Sequence, residues 1–156
     1  MKRALTPVLV VDDDEATLTF LKRALEGLGI RGIDLAHDGA EALQKLDAEQ
    51  YGLVISDWHM KHVGGLQLLK HMRSNERFAH IPFMMITGDA QVDVVLTARQ
   101  AGADAVMLKP FGIEALRAKI GDVVKQRPKY ARPVMPRSDR PLASLAEIRG
   151  HRTAAV

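Results

Sequence analysis

Five short apolar runs recur along the chain, separated by stretches in which apolar residues return every three or four positions. Pro7-Val8-Leu9-Val10-Val11, Gly32-Ile33-Asp34-Leu35-Ala36, Leu53-Val54-Ile55-Ser56, Ile81 to Thr87 and Ala105-Val106-Met107-Leu108 read as strands. In the first, third and fourth the apolar character is continuous rather than alternating, as expected of parallel strands covered on both faces. Between them Leu18, Leu21, Leu25 and Leu28 fall at helical spacing, as do Ala42, Leu43 and Leu46, then Leu68, Leu69 and Met72. A last helix carries Ile113, Leu116, Ile120, Val123 and Val124. Strands and helices alternating across short loops imply right-handed crossovers. The expected fold is therefore α/β, a doubly wound five-stranded parallel sheet. Met84, Met85 and Met107 lie in strand patterns and are expected in the core.

The pattern ends near Arg127-Pro128, because proline disfavours helical geometry in the residue before it. Pro128, Pro133, Pro136 and Pro141 then punctuate a stretch with few large apolar residues. Residues 1–125 are thus expected to form one domain and residues 126–156 an extended tail, disordered alone. Within the tail, Ser138 or Asp139 can cap a short helix over Pro141-Leu142-Ala143-Ser144-Leu145-Ala146-Glu147-Ile148, with Gly150 near its end.

Composition adds little until it is split at that boundary. The chain has 156 residues, 47% hydrophobic and 26% charged, the balance of an ordinary globular protein. It has no cysteine, which removes disulfides and thiolate metal sites and fits a reducing cytoplasm. No stretch has the core of a signal peptide or the length of a membrane span. The net charge of +3 is unevenly placed. Residues 1–125 hold 15 Lys and Arg against 17 Asp and Glu, whereas residues 126–156 hold 7 against 2. A basic tail on a mildly acidic body suggests an anionic partner for the tail.

In parallel α/β sheets, functional groups gather at the carboxyl ends of strands near the point where strand order reverses. Four strand ends here carry groups suited to phosphate chemistry. Val10-Val11 leads into Asp12-Asp13-Asp14-Glu15, Ile55-Ser56 into Asp57, Ile86 into Thr87, and Leu108 into Lys109-Pro110. Clustered carboxylates repel unless a hard cation such as Mg2+ binds them. A further carboxylate can attack a phosphoryl group, with a hydroxyl and a lysine offsetting charge on its oxygens. Asp57 suits that part, with Thr87 and Lys109 in support. His37, His62, His71 and His80 lack metal-ligand spacing and read as surface or loop residues, and Trp58 as part of the site's rim.

The segments "VLVVDDDEATL", "VISDWHM", "GLQLLKHMR", "MMITGDA" and "GADAVMLKPF", covering about Leu5 to Lys125, resemble the receiver domain of two-component response regulators, the CheY-like group in particular. The resemblance implies a receiver, or flavodoxin-like, fold with Asp57 as phosphoacceptor and Asp12 and Asp13 as the acidic Mg2+ pocket. His59 would give its backbone carbonyl to the metal, Thr87 and Lys109 would contact the phosphoryl group, and a cis peptide would precede Pro110. It also implies a histidine kinase or phosphotransfer protein as partner and no multiple-turnover activity. Two positions depart from the pattern: Lys61 stands where proline is usual, and Val106 where motility-type receivers often carry an aromatic.

The 31 residues after Lys125 are too few for a DNA-binding output domain. Within them, Arg137-Ser138-Asp139-Arg140 joins guanidinium forks, which suit phosphate or guanine O6 and N7, to a carboxylate able to accept from guanine N1 and N2. That pairing suits a guanine nucleotide better than bare phosphate. The tail is similar to the arginine-rich segment of the Cle group of CheY-like proteins, which implies that it binds cyclic di-GMP and orders on doing so. Arg137, Ser138, Asp139 and Arg140 form the expected ligand-reading centre, Arg149 and Arg152 close over phosphates or a second base, and Arg127, Tyr130, Arg132 and His151 are further candidates. The resemblance also implies action on a flagellar motor switch component, a cytoplasmic location with recruitment to the flagellated pole, and control of motility and surface attachment. Three other readings compete: an ordinary phosphorylation-driven regulator with an inert tail; a phosphatase of the haloacid dehalogenase type, whose Asp-x-Asp spacing is missing here; and a tail that holds RNA or an acidic membrane, which would show steep salt dependence and little preference for guanine.

Overall fold

A computed structural model describes residues 7–88 and 91–126. Five strands, β1 (Val8–Val11), β2 (Ile33–Ala36), β3 (Leu53–Asp57), β4 (Phe83–Thr87) and β5 (Ala105–Leu108), alternate with five helices, α1 (Glu15–Gly27), α2 (Gly39–Ala48), α3 (Gly65–Arg73), α4 (Val92–Gln100) and α5 (Ile113–Gln126). The strands form one sheet in the order β2-β1-β3-β4-β5, every neighbouring pair parallel. The expected doubly wound α/β fold is what the chain adopts. Pro7 and Pro82 stand just outside β1 and β4, consistent with a residue that has no N–H to give a ladder.

Alternate residues of the strands feed two separate cores, as a period of two requires. Val8, Val10, Ile55, Met84 and Ile86 face α1 and α5 and pack with Leu18, Leu21, Leu25, Leu116, Ile120 and Val123. Leu9, Val11, Val54, Phe83 and Met85 face α2, α3 and α4 and pack with Ala42, Leu46, Leu68, Leu69, Met72 and Ala98. Met84, Met85 and Met107 are buried, as expected. Ile113 shares the periodicity of α5 but stays 46% exposed at its first turn.

The starts of α1 and α2 are fixed by side chains. Asp14 accepts from the Thr17 backbone N–H at 2.9 Å and from its hydroxyl at 2.6 Å, and Asp38 accepts from the Glu41 N–H at 2.8 Å. At the far end of the sheet, Arg73 closes α3 against the loops that enter β4 and β5. Its guanidinium donates to the carbonyls of Gly102 at 3.0 Å, Ile81 at 2.8 Å and Ala79 at 3.3 Å, and to Asp104 Oδ2 at 3.1 Å. That carboxylate oxygen also accepts from the Phe83 N–H at 2.8 Å. Gly102 sits at φ +107°, and a Cβ there would lie 2.9 Å from Arg73 Nε, so this loop needs glycine for both conformation and space.

Candidate acidic and lysine site

The chain runs from β1 to β2 on one side and then crosses to β3 on the other, so strand order reverses between β1 and β3. Their carboxyl ends carry Asp12 and Asp57, at the crevice where α/β sheets bind ligands. Thr87 ends β4, and Lys109 follows β5, held there by its own N–H to the Thr87 carbonyl at 2.8 Å. Asp57 is one of the few buried acids, Asp12 is 2% exposed, and Thr87 is fully buried. The backbone around Asp57 is locked on both sides. The Trp58 N–H donates to the Ile86 carbonyl at 2.8 Å, and the Gly65 N–H donates to the Trp58 carbonyl at 3.0 Å. A Cβ at Gly65 would run into the Asp57 carbonyl, so only glycine lets α3 start this close to the acid.

The charged groups converge as a set. Lys109 Nζ lies 2.9 Å from Asp57 Oδ1 and 3.3 Å from Asp12 Oδ2. The other Asp12 oxygen accepts from the Asp14 N–H at 2.9 Å, and Asp13 accepts from the Lys61 N–H at 3.3 Å. The expected cis peptide joins Lys109 to Pro110. Burial pushes the Asp12 carboxyl above the usual carboxylate range, opposed by the Asp14 N–H and reinforced by the neighbouring Asp57 charge. Burial pulls the Lys109 ammonium down, but the Asp57 and Asp12 carboxylates outweigh it and hold the ammonium above its ordinary value.

Asp12, Asp13 and Asp57 can each bring one oxygen within 4.8 Å of the others. Three carboxylates that close, one of them pushed up by burial, suit a hard dication that takes oxygen ligands. The donor set therefore fits Mg2+. His59 lies two residues beyond Asp57 in an open groove with Asp13, Trp58 and Lys61, a position from which the loop backbone can contribute. A carboxyl raised by burial contributes stability that is fully present below the ordinary carboxylate value and is lost as pH rises through the raised folded-state value. The metal-free chain accordingly loses stability as pH rises through the Asp12 value. Asp12→Asn is expected to raise Tm in chelator at neutral pH, on a scale of about 4 °C per kcal/mol, and to flatten that pH dependence. It should also abolish most of the rise in Tm that Mg2+ gives the native chain, as read by thermal unfolding with and without the metal.

Among the described residues His37, His59, His62 and His71 are exposed, whereas His80, expected at the surface or in a loop, is half-buried with its Nδ1 out of reach of solvent, and two of the exposed ones are more engaged than spacing suggests. His37 bridges Glu15 and Glu41, and hydrogen bonding to Glu41 and then Glu15 holds its imidazole above the usual value. His62, at φ 65°, pairs with Asp38. Trp58 is half-buried at the rim and meets His59 edge to face. Val106 is half-buried against the core that holds α4. Arg127, Tyr130, Arg132, Arg137, Ser138, Asp139, Arg140, Arg149, His151 and Arg152 lie outside the described residues.

A switch-point acid cluster bridged by a lysine on a five-stranded parallel sheet defines a domain suited to holding a phosphoryl group beside a divalent cation. The family model for the response regulator receiver domain matches residues 8–121, and the chain belongs to that family. It is 33% identical over 119 residues to the chemotaxis protein CheY of Pseudomonas aeruginosa, a match covering 76% of this chain and 96% of that protein. CheY-3 of Vibrio cholerae matches at 33% identity over 76% of this chain and 92% of its own length. Among solved structures, CheY4 of Vibrio cholerae superposes with a TM-score of 0.70 at 28% identity, covering 74% of this chain and 96% of its own. A CheY-like receiver domain from Methanospirillum hungatei gives 0.73 at 29% identity, covering 81% and 99%. Receiver domains bind Mg2+ in an acidic pocket, and Asp12, Asp13 and Asp57 form such a cluster here. Among the described residues, no helix is long and apolar enough to cross a membrane.

Proposed function

We propose that this protein is a noncatalytic signalling adaptor whose residues 1–125 accept a phosphoryl group on Asp57. The observation that carries this reading is the Lys109 ammonium, 2.9 Å from Asp57 and 3.3 Å from Asp12 at the strand-order switch. An Asp57 carboxylate oxygen bonds to phosphorus as the bond from phosphorus to the donor breaks, the donor being a phosphohistidine of a kinase or phosphotransfer protein. Lys109 then pairs with a phosphoryl oxygen in place of the free carboxylate, and the Thr87 hydroxyl donates to another. Asp12, Asp13, Asp57 and the His59 carbonyl would hold Mg2+, which when bound would supply positive charge to offset the phosphoryl oxygens. Intact-mass measurement after incubation with Mg2+ and acetyl phosphate tests this, with one phosphoryl group per chain expected and none overturning it.

The tail supports a second input. Residues 126–156 carry 7 Lys and Arg against 2 acids, and Arg137-Ser138-Asp139-Arg140 combines guanine-reading forks with a carboxylate acceptor. On this reading the tail orders around cyclic di-GMP through Arg137, Ser138, Asp139 and Arg140, with Arg149 and Arg152 closing over it and Tyr130, Arg132 and His151 alongside. The loaded protein acts on a flagellar motor switch component, in the cytoplasm at the flagellated pole. Relatives named as chemotaxis proteins support the motility setting. Calorimetric titration of cyclic di-GMP is expected to give binding to the full chain and none to a chain ending at Lys125. Arg140→Ala should weaken binding about 10- to 150-fold, the equivalent of roughly 1.5–3 kcal/mol for one charge-assisted pairing. If neither chain binds, the reading reverts to a regulator driven by Asp57 phosphorylation alone, with an inert tail.

A further inference from the structure

Helix α1 buries one face against the sheet and leaves another, carrying Ala16 and Phe20, along an open groove. Leu18, Leu21 and Leu25 face the sheet and are buried. Ala16, Thr19, Phe20 and Arg23 recur at the same helical spacing on another side and, with Glu15 and Ile113, line an open groove of about 640 Å³. Phe20 is 41% exposed and Ile113 46% exposed. The Phe20 ring is held over this groove by an edge contact with Phe111, 5.7 Å between centroids. The groove is mostly apolar, with an acid at the Glu15 end and a cation, Arg23, at the other.

We propose that this groove docks the chain's own segment Pro141–Ile148 as a short helix lying antiparallel to α1. The segment lies outside the described residues, and its sequence supplies a matching stripe: Leu142, Leu145 and Ile148 at intervals of three. Connection length permits it. Helix α5 runs from Ile113, at the groove, for 14 residues, or about 20 Å, back along the sheet toward the amino ends of the strands. The residues from Arg127 to Arg140 can span roughly 45 Å when extended, more than the return requires. Because α1 and α5 both start at the carboxyl ends of parallel strands, a segment returning from the end of α5 runs opposite to α1, and this direction matches the charges. It brings Asp139, just before the stripe, to Arg23, and Arg149 and Arg152, just after it, to Glu15. The reverse direction would set Arg149 against Arg23. A tether this short gives a local concentration on the order of millimolar, so a small apolar stripe suffices to dock. Docking does not depend on what the tail binds, although Asp139, Arg149 and Arg152 are also the residues assigned to cyclic di-GMP, so ligand and groove would compete for them.

The absence of native cysteine allows a single spin label at Ser144→Cys in the full-length, nitrogen-15-labelled chain. The expected result is strongest amide broadening at Thr19, Phe20, Arg23 and Ile113, lost when Leu142→Ser, Leu145→Ser and Ile148→Ser are combined. Those substitutions fall beyond α5 and change none of the residues that line the groove. Broadening that is uniformly weak, or strongest around the exposed Leu96 and Leu108 of α4 and β5, overturns the proposal, as does broadening indifferent to the triple variant. Equal broadening from a spin-labelled, unenriched chain mixed with a labelled chain lacking the nitroxide also overturns it, because the contact would then lie between copies.

Discussion

A chain carrying Asp57→Asn, incubated with Mg2+ and acetyl phosphate, is expected to take up no phosphoryl group where the native chain takes up one. Removing a covalent nucleophile typically lowers the rate by a factor on the order of 10³ to 10⁶, because an amide offers no comparable oxygen. The neighbours are poor substitutes. One Asp12 oxygen already accepts from the Asp14 N–H and the other faces Lys109, and burial raises its carboxyl. Asp13 is exposed and turned to the Lys61 N–H. The substitution is nearly isosteric and Asp57 is held by backbone contacts on both sides, so the fold should persist. Phosphate recovered on Asp12 or Asp13 at native rate would sink the assignment of Asp57.

The second large effect is structural. Arg73→Ala is expected to destabilise the protein by about 3–5 kcal/mol, the usual result of removing one partner of a buried ion pair. Asp104 is 7% exposed at its side chain, and without the guanidinium its charge loses the cation beside it. Three loop carbonyls, from Ala79, Ile81 and Gly102, lose a donor at the same time. Against a total stability of roughly 5–15 kcal/mol this is a large fraction. Urea titration should show a lower midpoint with an unchanged slope. Asp104→Asn should cost less, since its amide oxygen can still accept from the Phe83 N–H and from Arg73. A loss below about 1 kcal/mol for Arg73→Ala would mean that water replaces the guanidinium, and that the contact is a surface one in effect.

The sheet was legible because its signal is local. Continuous apolar runs such as Val8–Val11 and Leu53–Ile55 have no polar face to offer, so parallel strands buried on both sides are the arrangement that accommodates them. The acids, hydroxyl and lysine were legible for a related reason: each directly follows such a run, and the α/β topology brings strand ends together whatever lies between. Helix α4 was less visible. Its stretch VDVVLTARQ is rich in β-branched residues and buries Ala98 alone, so little periodicity marks it, and the crossover from β4 to β5 is what requires it. Arg73 and Asp104 lie 31 residues apart and carry no mutual pattern; the order of strands brings them together. Likewise, nothing local distinguishes Gly65, which glycine alone can fill because the Asp57 carbonyl at the end of β3 lies against it, or Ile113, left 46% exposed at the first turn of α5. The sequence by itself determined which residues must be buried and which strand ends carry chemistry, since periodicity and adjacency are properties of the chain. The pairing of distant charges, the close approaches and the faces left bare were decided only by tertiary structure, since they depend on which strands become neighbours.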